Sequence, residues 1–443
     1  MATETITEQE VPSPAAVVFS NAYLDEIIDN VRGRPIAWDG YVRAGIVTEE
    51  EASALKAVDK VSSFSRTTAL KQGAEPYAKT FTSIFSKTDR ADVLQYSLVL
   101  AADLIIESED LARGLNEANV SEILVKQLDH EDETVPLLIA KVLLLLIIAT
   151  VSPSVSVVEK LLKFSNKFAN SEDFSLKDLA AQSYVAILSV KTTRALFWQN
   201  ITVYGPPLLD ILKSGKGGLQ LQYYGLVVFW LLAFETEPAQ GLNQKCDIIP
   251  IVLDIIKTAI KEKIIRVSVS LFYNLITIAP EQNINALLVV NGLPIIKSMA
   301  QRKWTDTELE ADLITVSTTL QEAHDLMSTF DEYKNELLSG RLRWSPAHKS
   351  LDFWKRNAQE FREEDWKLLK ELAKVITTST DNTVIAVAAN DIGAIITEVP
   401  EGLRVLNKSG TKTKIMELLT HEDPEVKYQA LKATQVFVAR AFV

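Results

Sequence analysis

Cysteine is nearly missing: Cys246 stands alone in 443 residues. A single thiol makes no internal disulfide and no multi-cysteine metal site, and it fits a reducing compartment. Glycine (16) and proline (15) are scarce too, together about 7% of the chain against roughly 12% in average usage. So few helix breakers, with 47% apolar and 23% charged residues, point to a mostly helical chain and exclude collagen-like and low-complexity classes. Positive charge is in deficit, with 46 Lys and Arg against 58 Asp and Glu for a net charge of −12. No basic stripe exists to neutralise a run of phosphates, so nucleic acid is not an expected partner. Long hydrophobic runs are lacking. Val142–Ala149 and Tyr223–Phe234 both stop short of the roughly 18 to 20 residues needed to cross a bilayer. The first residues carry Glu4, Glu8, Glu10, Pro12 and Pro14, the opposite of the basic start of a signal peptide. A soluble cytoplasmic protein without direct membrane insertion is expected.

What the chain does contain is a repeat. Its length exceeds one compact domain, so two domains or one repeat array is the starting expectation. A short polar loop gives way to a long apolar helix near Val93, Val135, Leu179, Leu221 and Ile264, at spacings of 42, 44, 42 and 43 residues. Further starts fall near Leu309, then near Val384 and Val426, which are 42 apart. That period is the one of HEAT and armadillo repeats, roughly 40 to 47 residues. Helix-start chemistry accompanies it. Asp423 is placed to cap a helix with Pro424 at its first position, and Ser175-x-x-Asp178 and Thr305-x-x-Glu308 have the form of capping boxes. His130-Glu131-Asp132 returns as His421-Glu422-Asp423, 291 residues later. The expected fold is all-α: a HEAT/armadillo-like α-solenoid in two domains. Runs such as Val142–Ile148 and Tyr223–Phe234 then belong between two helical layers.

The period breaks between about Phe330 and Asp365, where 75 residues separate Leu309 from Val384. The expected organisation is a disordered acidic tail over 1–19, an amino-terminal solenoid over 20–328, a joint over 329–345 and a carboxy-terminal domain over 346–443. Phe330, Asp331, Tyr333 and Gly340 are the candidate hinge residues. Trp344, Phe353, Trp354, Phe361 and Trp366 crowd together beyond them, either as the first core layer of the second domain or as a partner-binding face, since Trp and Arg dominate interface hot spots. On the second reading Arg341, Arg343, Trp344, His348, Lys349, Lys355 and Arg356 are candidate partner contacts. A second basic patch, Lys257, Lys261, Lys263 and Arg266, is either a solvated loop face or a contact for an acidic protein. Lys261 and Lys263 are its candidate contact residues.

No catalytic constellation is visible. Gly215-Lys216-Gly217-Gly218 lacks the phosphate-loop spacing, no Gly-x-Ser-x-Gly or His-Glu-x-x-His occurs, and His130, His324, His348 and His421 are scattered. Neither cofactor nor metal is expected, and Cys246 is read as a buried thiol.

Several stretches resemble one family. Leu219-Gln-Leu-Gln-Tyr-Tyr-Gly-Leu-Val-Val-Phe-Trp-Leu-Leu-Ala-Phe234, Phe330-Asp-Glu-Tyr333, Gly340-Arg-Leu-Arg-Trp-Ser-Pro-Ala-His-Lys349 and Val426-Lys-Tyr-Gln-Ala-Leu-Lys432 are similar to segments of the H subunit of the vacuolar-type proton ATPase (V-ATPase). So are Val31-Arg32 and Trp38-Asp-Gly-Tyr41 near the start. The resemblance runs from about Tyr23 to the end. It implies a non-catalytic regulatory subunit with two HEAT-like domains and a short linker. Such a subunit couples ATP hydrolysis to proton transport and silences hydrolysis when the catalytic sector detaches. The implied partners are the E and G subunits of the peripheral stalk, the cytoplasmic part of the a subunit, and the catalytic hexamer or rotor in the inhibited state. The implied location is the cytosolic face of vacuolar and other endomembranes. An armadillo-type adaptor gripping an extended peptide is the alternative. Only Trp230 and Asn274 sit where its ladder of Trp and Asn would be. A scaffold without ATPase ties and an enzyme follow as further readings.

Overall fold

The computed structural model describes residues 19–326 and 329–441, in which all regular structure is helical and no strand occurs. The expected all-α solenoid is what forms. Of the acidic tail expected over 1–19, only Phe19 falls within the described residues, and it is buried. The chain divides into two compact units between Ala279 and Pro280. No single helix among the described residues is long and apolar enough to cross a membrane.

In the amino-terminal unit, α1 (Ala22–Gly33) is followed by a series of long inner helices: α2 (Ala91–Glu107), α3 (Thr134–Ile148), α4 (Phe174–Ser189), α5 (Gly218–Leu232) and α6 (Glu262–Ile278). Each packs on the next, while Val155–Ala169, Ile201–Ser214 and Ile248–Thr258 cover α4, α5 and α6 from outside. This arrangement explains why α3 is apolar on nearly every side. Val135, Leu138, Val142, Leu144 and Ile147 are all buried, because α2 and α4 flank the helix and Glu109–Glu117 closes over it. Each such side chain contributes about 1.5–3 kcal/mol of burial.

Local chemistry sets where the helices start. At α3 the Asp132 carboxylate accepts from the backbone N–H of Thr134 (2.9 Å) and Val135 (3.2 Å), and its own N–H donates to His130 Nδ1 at 3.0 Å. The same device recurs in the other unit, where Asp423 accepts from Glu425 N (2.9 Å) and Val426 N (3.0 Å) and donates to His421 Nδ1 (3.1 Å). Both His-Glu-Asp triplets are therefore one structural motif used twice. One expected cap differs. Asp173, not Ser175, caps α4, taking the Ser175 N–H at 2.7 Å. Within the expected Thr305-x-x-Glu308 box, Asp306 accepts from Glu308 N and Leu309 N at the start of α7 (Thr307–Leu326). Asp173 stands directly before α4, whereas Ser175 is already inside it, and a carboxylate there accepts a charge-assisted bond at the positive helix end.

Side chains also stitch each repeat to its neighbour. His130 Nε2 lies 2.8 Å from Asp89 O, Gln95 donates to Asp132 Oδ1 at 3.0 Å, and Lys263 donates to Gln220 Oε1 at 2.7 Å. Arg194, almost fully buried, reaches Glu235 at 2.9 Å. Ahead of α1, Phe19 O accepts from Lys141 Nζ (3.0 Å) and Ser20 exchanges two hydrogen bonds with the Gln182 amide, which fastens the segment to α3 and α4.

The carboxy-terminal unit holds α7, α8 (Thr329–Leu338), α9 (Glu363–Thr378), α10 (Asn382–Glu398) and α11 (Pro424–Ala441). Pro280–Val289 packs on both α7 and α8. These contacts group residues 280–326 with the later helices, whereas the sequence period alone assigns them to the first solenoid. The packing between α10 and α11 depends on Gly393, since a Cβ there would sit 3.3 Å from Ala433 Cα.

Candidate functional site

The residues around the break in the period converge on one buried cluster. α8 carries Phe330, Asp331 and Tyr333, and Tyr333 is only 1% exposed. Its ring stands 5.3 Å from Trp354, 5.5 Å from Phe353 and 5.7 Å from Phe361. Of the two readings of these aromatics, the core layer is the one realised for Phe353, Trp354 and Phe361, all buried with Tyr333, Leu337 and Leu342. Trp344 remains half-buried, with Lys349 Nζ 5.6 Å from its ring centre.

His348 corrects an expectation. Set out as a partner contact, its side chain is fully enclosed. Nδ1 lies 2.7 Å from Asp391 Oδ2 on α10, and Nε2 lies 3.3 Å from Glu336 Oε1 on α8. Burial alone disfavours the charged imidazole, but the two carboxylates outweigh it and hold its pKa at about 9. Asp391 is pushed up by burial and pulled back by His348. The buried Tyr333 hydroxyl donates to Asp391 Oδ2 at 3.2 Å, and burial beside that carboxylate raises its pKa far above the usual phenol range.

The same cluster fastens the chain beyond α8. Gly340, at φ +70°, makes the turn in a conformation that favours glycine. Glu336 then accepts from Arg343 N at 2.7 Å and from the Ser345 hydroxyl at 3.3 Å. The candidate hinge residues Phe330, Asp331 and Tyr333 thus lie on a helix anchored in the core of the second unit, and the irregular stretch is Gly340–Ser345. Arg341 and Arg343 are half-buried there, while Lys349, Lys355 and Arg356 are exposed.

Two concavities border this stretch. A cavity of about 470 Å³ is lined by Leu288, Leu293, His324, Glu332, Arg343 and Trp344, among others. A groove of about 580 Å³ lies between Trp344, Lys349, Trp354, Asn390, Gln429 and Lys432. Lys261 and Lys263 are exposed in the other unit, at the start of α6.

Sequence reasoning missed Glu336 and Asp391. A signal for Asp391 existed: it is a lone charge inside the apolar run Val384–Ile396, and a charge there needs a buried partner. Among the described residues no group of three or more His, Cys, Asp or Glu could hold a metal ion. Cys246 is buried, which pushes its thiol up to about 11, so it is not a thiolate at neutral pH.

Two sequence profiles, described as the amino- and carboxy-terminal parts of the V-ATPase H subunit, match residues 22–320 and 326–442. The chain is similar to the V-type proton ATPase H subunit of Drosophila melanogaster, at 30% identity over 433 residues, covering 95% of this chain and 90% of that one. It is 28% identical to the first of the probable V-type proton ATPase H subunits of Caenorhabditis elegans, covering 92% and 93% of the two chains. Against the V-type proton ATPase H subunit of Dictyostelium discoideum it is 26% identical, covering 91% and 92%. With profiles matching almost its whole length, the chain belongs to the V-ATPase H subunit family.

Proposed function

We propose that the chain is a regulatory, non-catalytic subunit of the V-type proton ATPase. It couples ATP hydrolysis to proton transport in the assembled enzyme and suppresses hydrolysis by the detached catalytic sector. The observation that carries this reading is the pair of family profiles spanning 22–320 and 326–442 on a fold made of stacked helices, which offers surfaces rather than a reaction centre. The division of labour follows the break in the repeat period, with an amino-terminal region over 20–328, a joint over 329–345 and a carboxy-terminal region over 346–443. The first region engages the E and G subunits of the peripheral stalk. The second engages the cytoplasmic part of the a subunit when the enzyme is assembled, and the catalytic hexamer or rotor when it is not. The protein then works at the cytosolic face of vacuolar and other endomembranes. Arg341, Arg343, Trp344, Lys349, Lys355 and Arg356 support the second set of contacts, as basic and aromatic side chains still wholly or partly open to solvent.

Suppression of this kind needs no chemistry in the subunit. It needs only that one region contact the two assembly states differently. Moving the balance from 1:99 to 99:1 takes about 5.5 kcal/mol of differential binding, within reach of a protein interface. The test is Mg-ATP hydrolysis by a catalytic sector purified without its H subunit, measured before and after addition of this chain. Strong suppression near one equivalent is expected. Unchanged hydrolysis together with no binding to the sector would overturn the reading and favour a peptide-gripping adaptor.

A further inference from the structure

The inner helices of the amino-terminal unit start side by side, and their starts form an edge with an unusual surface. Phe174 opens α4, Leu219 is the second residue of α5, and Ile260 stands two residues before α6. These three apolar side chains, one per repeat, are 42%, 48% and 93% exposed. Contacts join the three helix starts. Phe174 lies against Gly217, where a Cβ would come within 2.8 Å of its ring, and Gly217 leads directly into Leu219. Lys263 donates to Gln220 on α5 and sits 4.8 Å from the centre of the Tyr223 ring. Ile260 and Lys261 immediately precede α6.

The edge holds five lysines (Lys177, Lys216, Lys257, Lys261 and Lys263) against four acids, a small positive excess in a chain of net charge −12. Lys216, Lys261 and Lys263 are exposed along it, and Lys177 Nζ stands 5.5 Å from the Phe174 ring centre. The acids nearby are Glu172, Asp173, Asp254 and Glu262. Asp173 is engaged as the cap of α4, and Asp254 pairs with Lys257 at 2.7 Å. Exposed apolar side chains, two of them half-embedded, flanked by lysines of which Lys177 and Lys263 lie against rings, have the make-up of a protein interface, an apolar centre with a charged rim. A membrane contact would put the apolar side chains at one protruding tip, whereas here they are spread over three repeats.

We infer that the edge formed by Phe174, Leu219 and Ile260 with Lys216, Lys261 and Lys263 is a docking surface for an acidic protein segment that carries apolar side chains. The apolar residues supply the desolvated anchors, and the lysines set orientation and speed encounter. The inference rests on the proposed role as a subunit of a larger assembly and assigns a surface and a partner chemistry within it.

The probe is the peripheral catalytic sector purified without its H subunit, titrated with the full chain at low and high salt. Leu219→Ser/Ile260→Ser and Lys261→Glu/Lys263→Glu are each expected to weaken binding about tenfold or more, as loss of interface anchors does. The charge-reversed variant is also expected to flatten the salt dependence. Circular dichroism melts identical to the parent exclude misfolding, since all four side chains are exposed. A photo-crosslinker at position 260 is expected to capture a segment rich in Asp and Glu. If the parent binds and both variants bind equally well, the surface is wrong and the subunit reading stands. If the parent does not bind the sector at all, the subunit reading fails and takes this inference with it. Ile260-dependent sedimentation of the parent with phosphatidylcholine–phosphatidylserine vesicles would assign the edge to a membrane and also overturn the inference.

Discussion

His348 holds a proton between carboxylates of two helices, Asp391 at 2.7 Å and Glu336 at 3.3 Å. With its pKa lifted from 6.5 to about 9, the native state keeps a proton that the unfolded chain releases between those values. The stabilisation is therefore complete below about pH 6.5 and is lost as pH rises through about 9, on the order of 3 kcal/mol in all. Urea midpoints of the second unit, measured from pH 6 to 10, are expected to fall across that window. His348→Ala is expected to cost about 3–5 kcal/mol at pH 7 by leaving two buried carboxylates unpaired, and to flatten the profile. A steep profile that survives the substitution would assign the titration to another group. None of this was legible from His348's own neighbours. Arg343, Trp344 and Lys349 surround it in sequence like a contact surface, whereas its partners lie 12 residues before it and 43 after.

Helix starts are where the sequence spoke most directly. The His-Glu-Asp triplets formed the capping geometry their residue types suggest, twice over. Ser175 misled because the S/T-x-x-E/D spacing is satisfied there while the serine lies inside the helix and Asp173 before it takes its N–H. Asp132 does more than cap: its Oδ1 also accepts from Gln95 Nε2 and the Thr134 hydroxyl, so it joins α2 to α3. Asp132→Ala is expected to cost about 2 kcal/mol, the upper end for a cap, against about 1 kcal/mol for Asp423→Ala, whose own link to the preceding repeat, from Asn382 Nδ2 at 3.2 Å, is exposed to solvent. Chemical denaturation of each variant checks the order. Equal costs would show that burying the link between repeats adds nothing.

Across the whole molecule, periodicity revealed the solenoid but not the place where compact packing divides. Residues 280–326 continue the period of the first repeats, yet Pro280–Val289 packs on α8, a contact between elements that no local pattern announces. A fragment beginning at Pro280 is therefore expected to fold cooperatively, with a sharp thermal transition. One beginning at Pro346 lacks Tyr333, Leu337 and Leu342 from its core, as well as the Glu336 partner of His348. It is expected to lose that transition while keeping helical circular dichroism, as loosely packed states do. Equal cooperativity in both fragments would place the boundary of independent folding at the joint instead.

The hydrogen bonds that tie each lead-in loop to the next, from His130 to Asp89 and from Lys263 to Gln220, give the amino-terminal unit a mechanical character. Each of these two ties spans one repeat, so beyond the strap from Phe19 and Ser20 to α3 and α4 the repeats are coupled in series. A load applied at one end is shared down the line as many small strains, and compliance grows with the number of couplings. Such a body is expected to behave as a spring, returning elastic work instead of yielding at one contact.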